Sequence, residues 1–298
     1  MLPKLPEGHG IAARYPGDVG IEEDSAVVFA DGFEDLDDVV MDTSAYPQQG
    51  KKWDSAWGLL RVTQEPENVH GGRQAVEIRH RQPMRSHGAE KHVEPGFDVL
   101  FVRYYMKYAA GYPGCHHTGV AIHGAAPGVN YGNSTGVRPD GRNHFTALLD
   151  TVPPWTVTSP GPPGYMDIYC YHMDQGRKWG DIFYPTGEVQ PSENTWLFVE
   201  NFVPRPNVMA ERGRWYCYEL MVKVNTPGER DGRVAFWVDG KLAGDFPNLR
   251  LRSAPILQAN RINLVTHSSR FRPNATLWFD DMVAATSYIG PQTPAKLE

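Results

Sequence analysis

The sequence predicts an all-β protein, a sandwich of two antiparallel sheets packed face to face. Short runs rich in Val, Ile, Phe, Tyr and Trp recur between Gly and Pro punctuation, and apolar stripes at helical spacing rarely persist for three turns. The 298 residues include 12 Phe, 8 Trp and 14 Tyr beside 30 Gly and 25 Pro, the usage of many strands joined by tight connections. A hydrophobic fraction of 41% against 21% charged residues supports a packed core and excludes a disordered chain.

In chain order the strands are placed at Ala26–Phe29, Ala75–Arg79, Val99–Tyr108, Gly119–His123, His144–Leu149, Met166–His172, Trp196–Asn201, Arg214–Asn225, Val234–Val238, Arg261–His267 and Thr276–Ala284. Each is a short β-branched or aromatic run, and strands at this density fill two sheets that each hide one side from water. Asp239-Gly240 closes a hairpin after the strand ending at Val238, with Gly supplying the positive φ of the turn. Residues 125–142, 152–164 and 174–194 lack an apolar period and read as long loops, the kind that in a compact sandwich carries function. No Gly/Ser or Pro-rich linker divides the chain. It is therefore read as one domain over 26–289, with an N-terminal extension at 1–25 and a tail at 290–298.

Charge and composition narrow the function. The balance of 29 Lys+Arg against 35 Asp+Glu gives a net charge of −6, opposite to what a general nucleic-acid binder needs. No apolar run approaches the roughly 18 residues that span a bilayer, and the opening MLPKLPEGHGIAARYPGDVG has no apolar core of a signal peptide. Cysteines 115, 170 and 217 are odd in number and too far apart for a zinc knuckle; Cys170 and Cys217 read as small buried hydrophobes.

Alternation along strands sorts the side chains. Arg103, Tyr105 and Lys107 share one face of their strand, with Val102, Tyr104, Met106 and Tyr108 behind them. In the next aromatic strand Asp167, Tyr169 and Tyr171 point together, opposite Met166, Ile168, Cys170 and His172. A face that combines Tyr with ionic groups suggests a ligand platform. His117 and His123 share a face of Cys115–His123, and Arg142 and His144 follow the Gly-rich loop Val129–Gly141, where they are expected to overhang a groove. Trp155 and Trp179, with Trp53 and Trp57, lie near loops, where an indole offers a flat surface to a sugar ring.

Two C-terminal segments carry a resemblance. Gly213-Arg-Trp-Tyr-Cys-Tyr-Glu-Leu-Met-Val-Lys-Val-Asn225 leads to Trp237-Val-Asp-Gly-Lys241, and Leu277-Trp-Phe-Asp-Asp-Met-Val283 comes near the end. Together they resemble the concanavalin A-like β-jelly-roll superfamily, shared by legume-type lectins, laminin-G-like modules, glycanases and polysaccharide lyases. The paired-carboxylate patterns Glu-x-Asp-x-x-Glu and Glu-x-Asp-x-Glu of its retaining glycosidases are absent, and Glu193, Glu200 and Glu219 stand alone. Lyases of this fold carry Arg, Tyr, Lys and His on a concave sheet instead. The resemblance thus implies β-elimination on an acidic, uronate-containing polysaccharide, with no organic cofactor. Arg103 and Lys107 would neutralise the uronate carboxylate, Tyr105, Tyr169 or Tyr171 would move protons, and His117 or His123 would assist. Arg142, His144, Trp155 and Trp179 would hold the sugar. A non-catalytic glycan-binding module and a glycosidase with dispersed carboxylates are the alternatives. The resemblance further implies a structural Ca²⁺ where first and last strands meet, at Asp31, Glu34 and Asp281, and a secreted or periplasmic bacterial protein.

Overall fold

The computed structural model describes residues 3–35, 52–58, 60–81, 84–129, 134–151, 160–191, 200–268 and 274–294. Among the described residues sixteen strands form two eight-stranded sheets, and every strand pair among them is antiparallel. In spatial order the first sheet runs β14 (Lys241–Leu249), β13 (Gly232–Val238), β12 (Trp215–Lys223), β6 (Val99–Tyr108), β16 (Ala275–Ala285), β4 (Ala75–His80) and β3 (Leu60–Thr63), with β1 (Val27–Asp31) also on β16. The second runs β11 (Val189–Gln190), β10 (Asp181–Phe183), β9 (Met166–Tyr171), β8 (His144–Thr151), β7 (His117–Ala125), β15 (Ala259–His267), β5 (Ser86–Phe97) and β2 (Ser55–Trp57).

The core lies between the sheets. Val102, Tyr104 and Met106 of the first meet the layer of Val120, Ile122, Phe145, Ala147, Leu149 and Ile168 from the second. Burial of this apolar area, at about 25 cal/mol per Å², is the main force closing the sandwich. Cys115, Cys170 and Cys217 are buried free thiols. Trp53 is also interior: it packs on Phe29 and Phe33 and donates from its indole to Asp31 (2.8 Å), so it offers no surface to a ligand.

The first sheet is covered on its outer side as well. Ile11, Ala12 and Ile21 from the N-terminal segment, with Tyr288 and Ile289 from the C-terminal one, pack against Phe101, Met221, Ala235 and Trp237 in a second apolar cluster. The two segments are stitched together by Ile11 N–H to the Tyr288 carbonyl (3.1 Å) and Ala12 N–H to that of Ile289 (2.9 Å). Gly10 permits this approach, because a Cβ there would lie 2.5 Å from the Ile289 carbonyl oxygen. Residues 1–25, read from sequence as an extension, thus include a packed layer of the fold.

This layer corrects the reading of Arg103, Tyr105 and Lys107. They do share the outer face of β6, as alternation predicts, but that face is sealed. Arg103 is wholly buried, ion-paired to Asp18 and donating to the Asp281 carbonyl (2.8 Å). Glu219, opposite it in register, accepts from Ile289 N–H and Gly290 N–H at 2.8 Å each, and burial pushes its carboxyl up to about 7. The Tyr105 hydroxyl accepts from Gln292 N–H (2.9 Å). Lys107 donates to the Glu67 carbonyl and lies over the rings of Trp278 (4.8 Å) and Trp215 (5.6 Å).

Several strands were invisible to hydrophobic patterning. Ser86–Phe97 contains His, Lys, Glu, Gly and Pro, and Lys241–Leu249 contains Gly244 and Pro247, so neither alternates cleanly. The strand expected at Trp196–Asn201 lies mostly outside the described residues, as does Trp155.

Removing one member of a buried ion pair leaves the other uncompensated, which costs about 3–5 kcal/mol. Arg103→Met is therefore expected to lower the free energy of urea unfolding by about that amount, where a solvated edge arginine would change it by less than about 0.5 kcal/mol.

Candidate functional site

With the first sheet closed on both sides, the polar outer face of the second is where the remaining candidates gather. Its register fixes which side chains are neighbours: His117 lies opposite His267, and His123 opposite Arg261, across β7–β15; Thr146 and Asp150 lie opposite Tyr171 and Asp167 across β8–β9. On β5, Glu90 and His92 lie opposite Asn263 and Arg261.

At one end of this face stands His117. Its Nδ1 is 2.5 Å from Asp150 Oδ2, and its ring stacks on Tyr169 with centroids 4.5 Å apart. Asp150 is held in turn by Thr118 N–H and Thr151 N–H, both at 2.8 Å, so the carboxylate that orients the imidazole is itself fixed. His116 and His267 complete a cluster of rings at 4.2 and 6.2 Å from His117.

The two tyrosines connect this end to the next. Their hydroxyls are 3.4 Å apart; that of Tyr169 accepts from Gly180 N–H (3.2 Å) and that of Tyr171 from Gly136 N–H (3.1 Å). Burial first, then the neighbouring Tyr171, pushes the Tyr169 phenol above its ordinary range, so the hydroxyl holds its proton. Trp179, 44% exposed, stands beside them with its ring against Gly136 and Lys178 over its face at 5.1 Å.

Beyond the tyrosines runs a chain of polar groups. His123 Nδ1 meets the Thr146 hydroxyl (3.0 Å). With its amide oriented to satisfy both neighbours, Asn263 accepts from His123 Nε2 (3.2 Å) and donates to Glu90 (3.1 Å). Arg261 donates to Glu90 at 3.1 Å and to His92 at 3.0 Å. Burial, with Arg261 next, pushes His123 down to about 3, so it is neutral wherever the fold persists. His144 lies on the same face, 5.9 Å from the Tyr171 ring, and burial lowers it too. Arg142 is exposed on the loop before β8, its backbone N–H bonded to Asp140 (2.7 Å).

The structure thus brings together His117, His123, His144, Tyr169 and Tyr171, with Trp179 alongside, and separates them by the thickness of the sandwich from Arg103, Tyr105 and Lys107. Sequence reasoning missed Asp150, Glu90, Arg261 and Asn263, and placed Asp167 on the face of Tyr169 and Tyr171 without giving it a role. Arg261, Asn263 and His267 alternate within a strand that the pattern did locate, whereas Asp150 fell one residue past the end assigned to its strand.

The three carboxylates expected to bind calcium, Asp31, Glu34 and Asp281, each have partners within the protein. Asp31 accepts from Phe33 N–H (2.9 Å) and the Trp53 indole, Glu34 from Arg73 N–H (2.8 Å), and Asp281 binds His70 (2.8 Å). Among the described residues no three His, Cys, Asp or Glu side chains converge as a metal would require. No helix among them is long and apolar enough to cross a membrane.

Buried neutral histidines also make stability depend on pH. His123 is held at about 3, and His80 and His267 at about 4, all below the ordinary 6.5 and chiefly by burial. The unfolded chain binds protons at these sites first, so their contribution is complete above about pH 6.5 and is lost as pH falls toward about 4. Urea unfolding is expected to lose on the order of 1–2 kcal/mol for each of His80 and His123 between about pH 7 and pH 5, and His123→Gln should flatten that dependence.

No protein-family model matches the chain, and no curated protein matches it. Solved structures do. The alginate lyase Aly36B superposes with a TM-score of 0.55 at 14% identity, covering 88% of this chain and 98% of its own. Alginate lyase vAL-1 from a Chlorella virus gives 0.54 at 13% identity, covering 84% and 99%. The cellulose induced protein Cip1 gives 0.51 at 14% identity, covering 88% and 99%. At such identities the likeness is one of fold alone, the two-sheet antiparallel β-jelly roll that these proteins share with this chain.

Proposed function

We propose that the chain is a polysaccharide lyase that cleaves a uronate-containing polymer by β-elimination on the outer face of the second sheet. The observation that carries this reading is His117, tied by Nδ1 to Asp150 and stacked on Tyr169. With Nδ1 engaged, Nε2 is the nitrogen left to take a proton, and the carboxylate behind the ring stabilises the imidazolium that results.

In this scheme His117 Nε2 removes the proton from C5 of the uronate. The electron pair moves into a new C4–C5 double bond as the C4–O4 bond breaks, and the leaving oxygen receives a proton from the phenol of Tyr169 or Tyr171. The raised range of Tyr169 keeps it protonated at neutral pH, which excludes it as the base and leaves that role to His117. The negative charge that develops on the uronate carboxylate needs partners in place of Arg103 and Lys107. Beside His117 the His116 and His267 rings are the groups placed for that task, while Arg261, Asn263 and neutral His123, four to six residues further along the β7–β15 ladder, roughly 13–20 Å, would hold the carboxylate of another sugar of the polymer. Trp179 offers its indole to the apolar side of a neighbouring sugar, and Lys178 and Arg142 offer charge to its carboxylate. A polymer substrate and the fold likeness to alginate lyases favour an exported protein.

A glycan-binding role without chemistry is the second reading. It is favoured by the backbone N–H bonds that hold both tyrosyl hydroxyls, as in a fixed aromatic platform.

Incubation with a panel of uronate polymers discriminates these readings. A lyase releases unsaturated uronate ends that absorb in the ultraviolet, and His117→Gln is expected to reduce that rate about 10²- to 10⁴-fold with folding unchanged. Reducing ends without the absorbance would indicate hydrolysis, and polymer retained intact would indicate binding alone; either outcome, or full activity of H117Q, contradicts the proposal.

A further inference from the structure

We propose that Asp167 holds a proton beside the Asp150 carboxylate, so that the two together place a single negative charge behind His117 and act as its positioning group. The inference rests on the reading of His117 as the base and goes beyond it by assigning a task to a buried carboxyl that the elimination does not touch.

Asp150 and Asp167 are directly opposed in the β8–β9 register, which sets their Cβ atoms roughly 4.5–5.5 Å apart. Both are buried, 3% and 1% exposed. Their surroundings differ sharply. Asp150 accepts from two backbone N–H groups and from His117, three donors that favour its ionised form. Neither oxygen of Asp167 has a hydrogen-bond partner among the described residues. A buried carboxylate without a donor is among the least tolerable groups in a protein interior, and two carboxylates this close do not both ionise. Burial, and after it Asp150, accordingly pushes Asp167 well above the ordinary carboxylate range.

The groups around the pair leave that assignment intact. β6 contributes the Tyr104 and Tyr108 phenols, both raised by burial and by Asp150; β9 contributes Tyr169; β7 contributes His117, whose Nδ1 is already bound to Asp150. No lysine or arginine is a cause of the shift at Asp167.

The consequence is chemical. Two charges behind the imidazole would hold it protonated and deprive it of the lone pair needed to accept the C5 proton. One charge orients the ring and matches the single positive charge that His117 gains, and the Asp167 proton stays in place throughout the cycle.

The test is carbon-detected NMR of the full chain carrying ¹³C-labelled aspartate carboxyls, followed from about pH 5 to 9. One resonance is expected to keep the shift of a protonated carboxyl through neutral pH and to be missing from Asp167→Asn; D167S gives the same assignment should D167N not fold. If the resonance lost in the variant is that of an ionised carboxylate at neutral pH, the proposal fails. This readout needs no turnover, so it decides the point even if the chain proves to have no lyase activity. Where activity is present, D167N exchanges one neutral group for another. The acidic limb of the pH profile of kcat/KM is then expected to stay within about 0.3 pH unit, and a displacement of about one unit or more would show that Asp167 had been ionised.

Discussion

The architecture turns on a buried charge. Arg103 sits at the middle of the first sheet, and the two terminal nitrogens of its guanidinium are held by Asp18 and the Asp281 carbonyl, which close over it. A buried arginine without such partners would carry a desolvation penalty of several kcal/mol, so the N-terminal segment is bound to the sheet by electrostatics as well as by its apolar contacts. Glu219, directly opposite Arg103 in register, binds the C-terminal segment through two backbone N–H groups. Both ends of the described chain therefore lie across one sheet, and the outer face of the other carries the histidines and tyrosines of the candidate site.

That face is built from groups whose chemistry is set by how each is buried and bonded. His117 keeps a carboxylate at Nδ1, whereas His123 is held neutral by burial and linked through Asn263 to Glu90. Two histidines on one strand face, six residues apart, thus acquire different chemistry from their neighbours across the ladder. The same principle separates Asp150 from Asp167: three donors stabilise one as a carboxylate, and their absence keeps the other neutral.

Much of the fold was legible in the sequence, because alternation and turn residues register directly in local text. The odd and even faces of β6 and β9 are as the pattern implies, and the Trp-Val-Asp-Gly-Lys hairpin is where its Asp-Gly pair puts it. The site was half legible. Alternation tells which side chains share a face of one strand but carries no information about which sheet that strand enters. Arg103 and Tyr169 therefore looked like neighbours and lie on opposite outer faces. The cover over Arg103 was hidden for a related reason: Ile11, Ala12 and Ile21 lie in short 3-10 turns with no periodic signal. Arg261, Asn263 and Asp150 were hidden because their meaning depends on partners across β7, β8 and β15, which pairing alone supplies.

The account stands on the claim that substrate lies over β7, β8, β9 and β15. A crystal structure of H117Q soaked with a uronate oligosaccharide tests it most directly. The account predicts sugar rings along that face, with one C5 at the position of the replaced imidazole and one carboxylate near Arg261. Oligosaccharide seated instead against the outer face of β6, after displacement of the terminal segments, would contradict it.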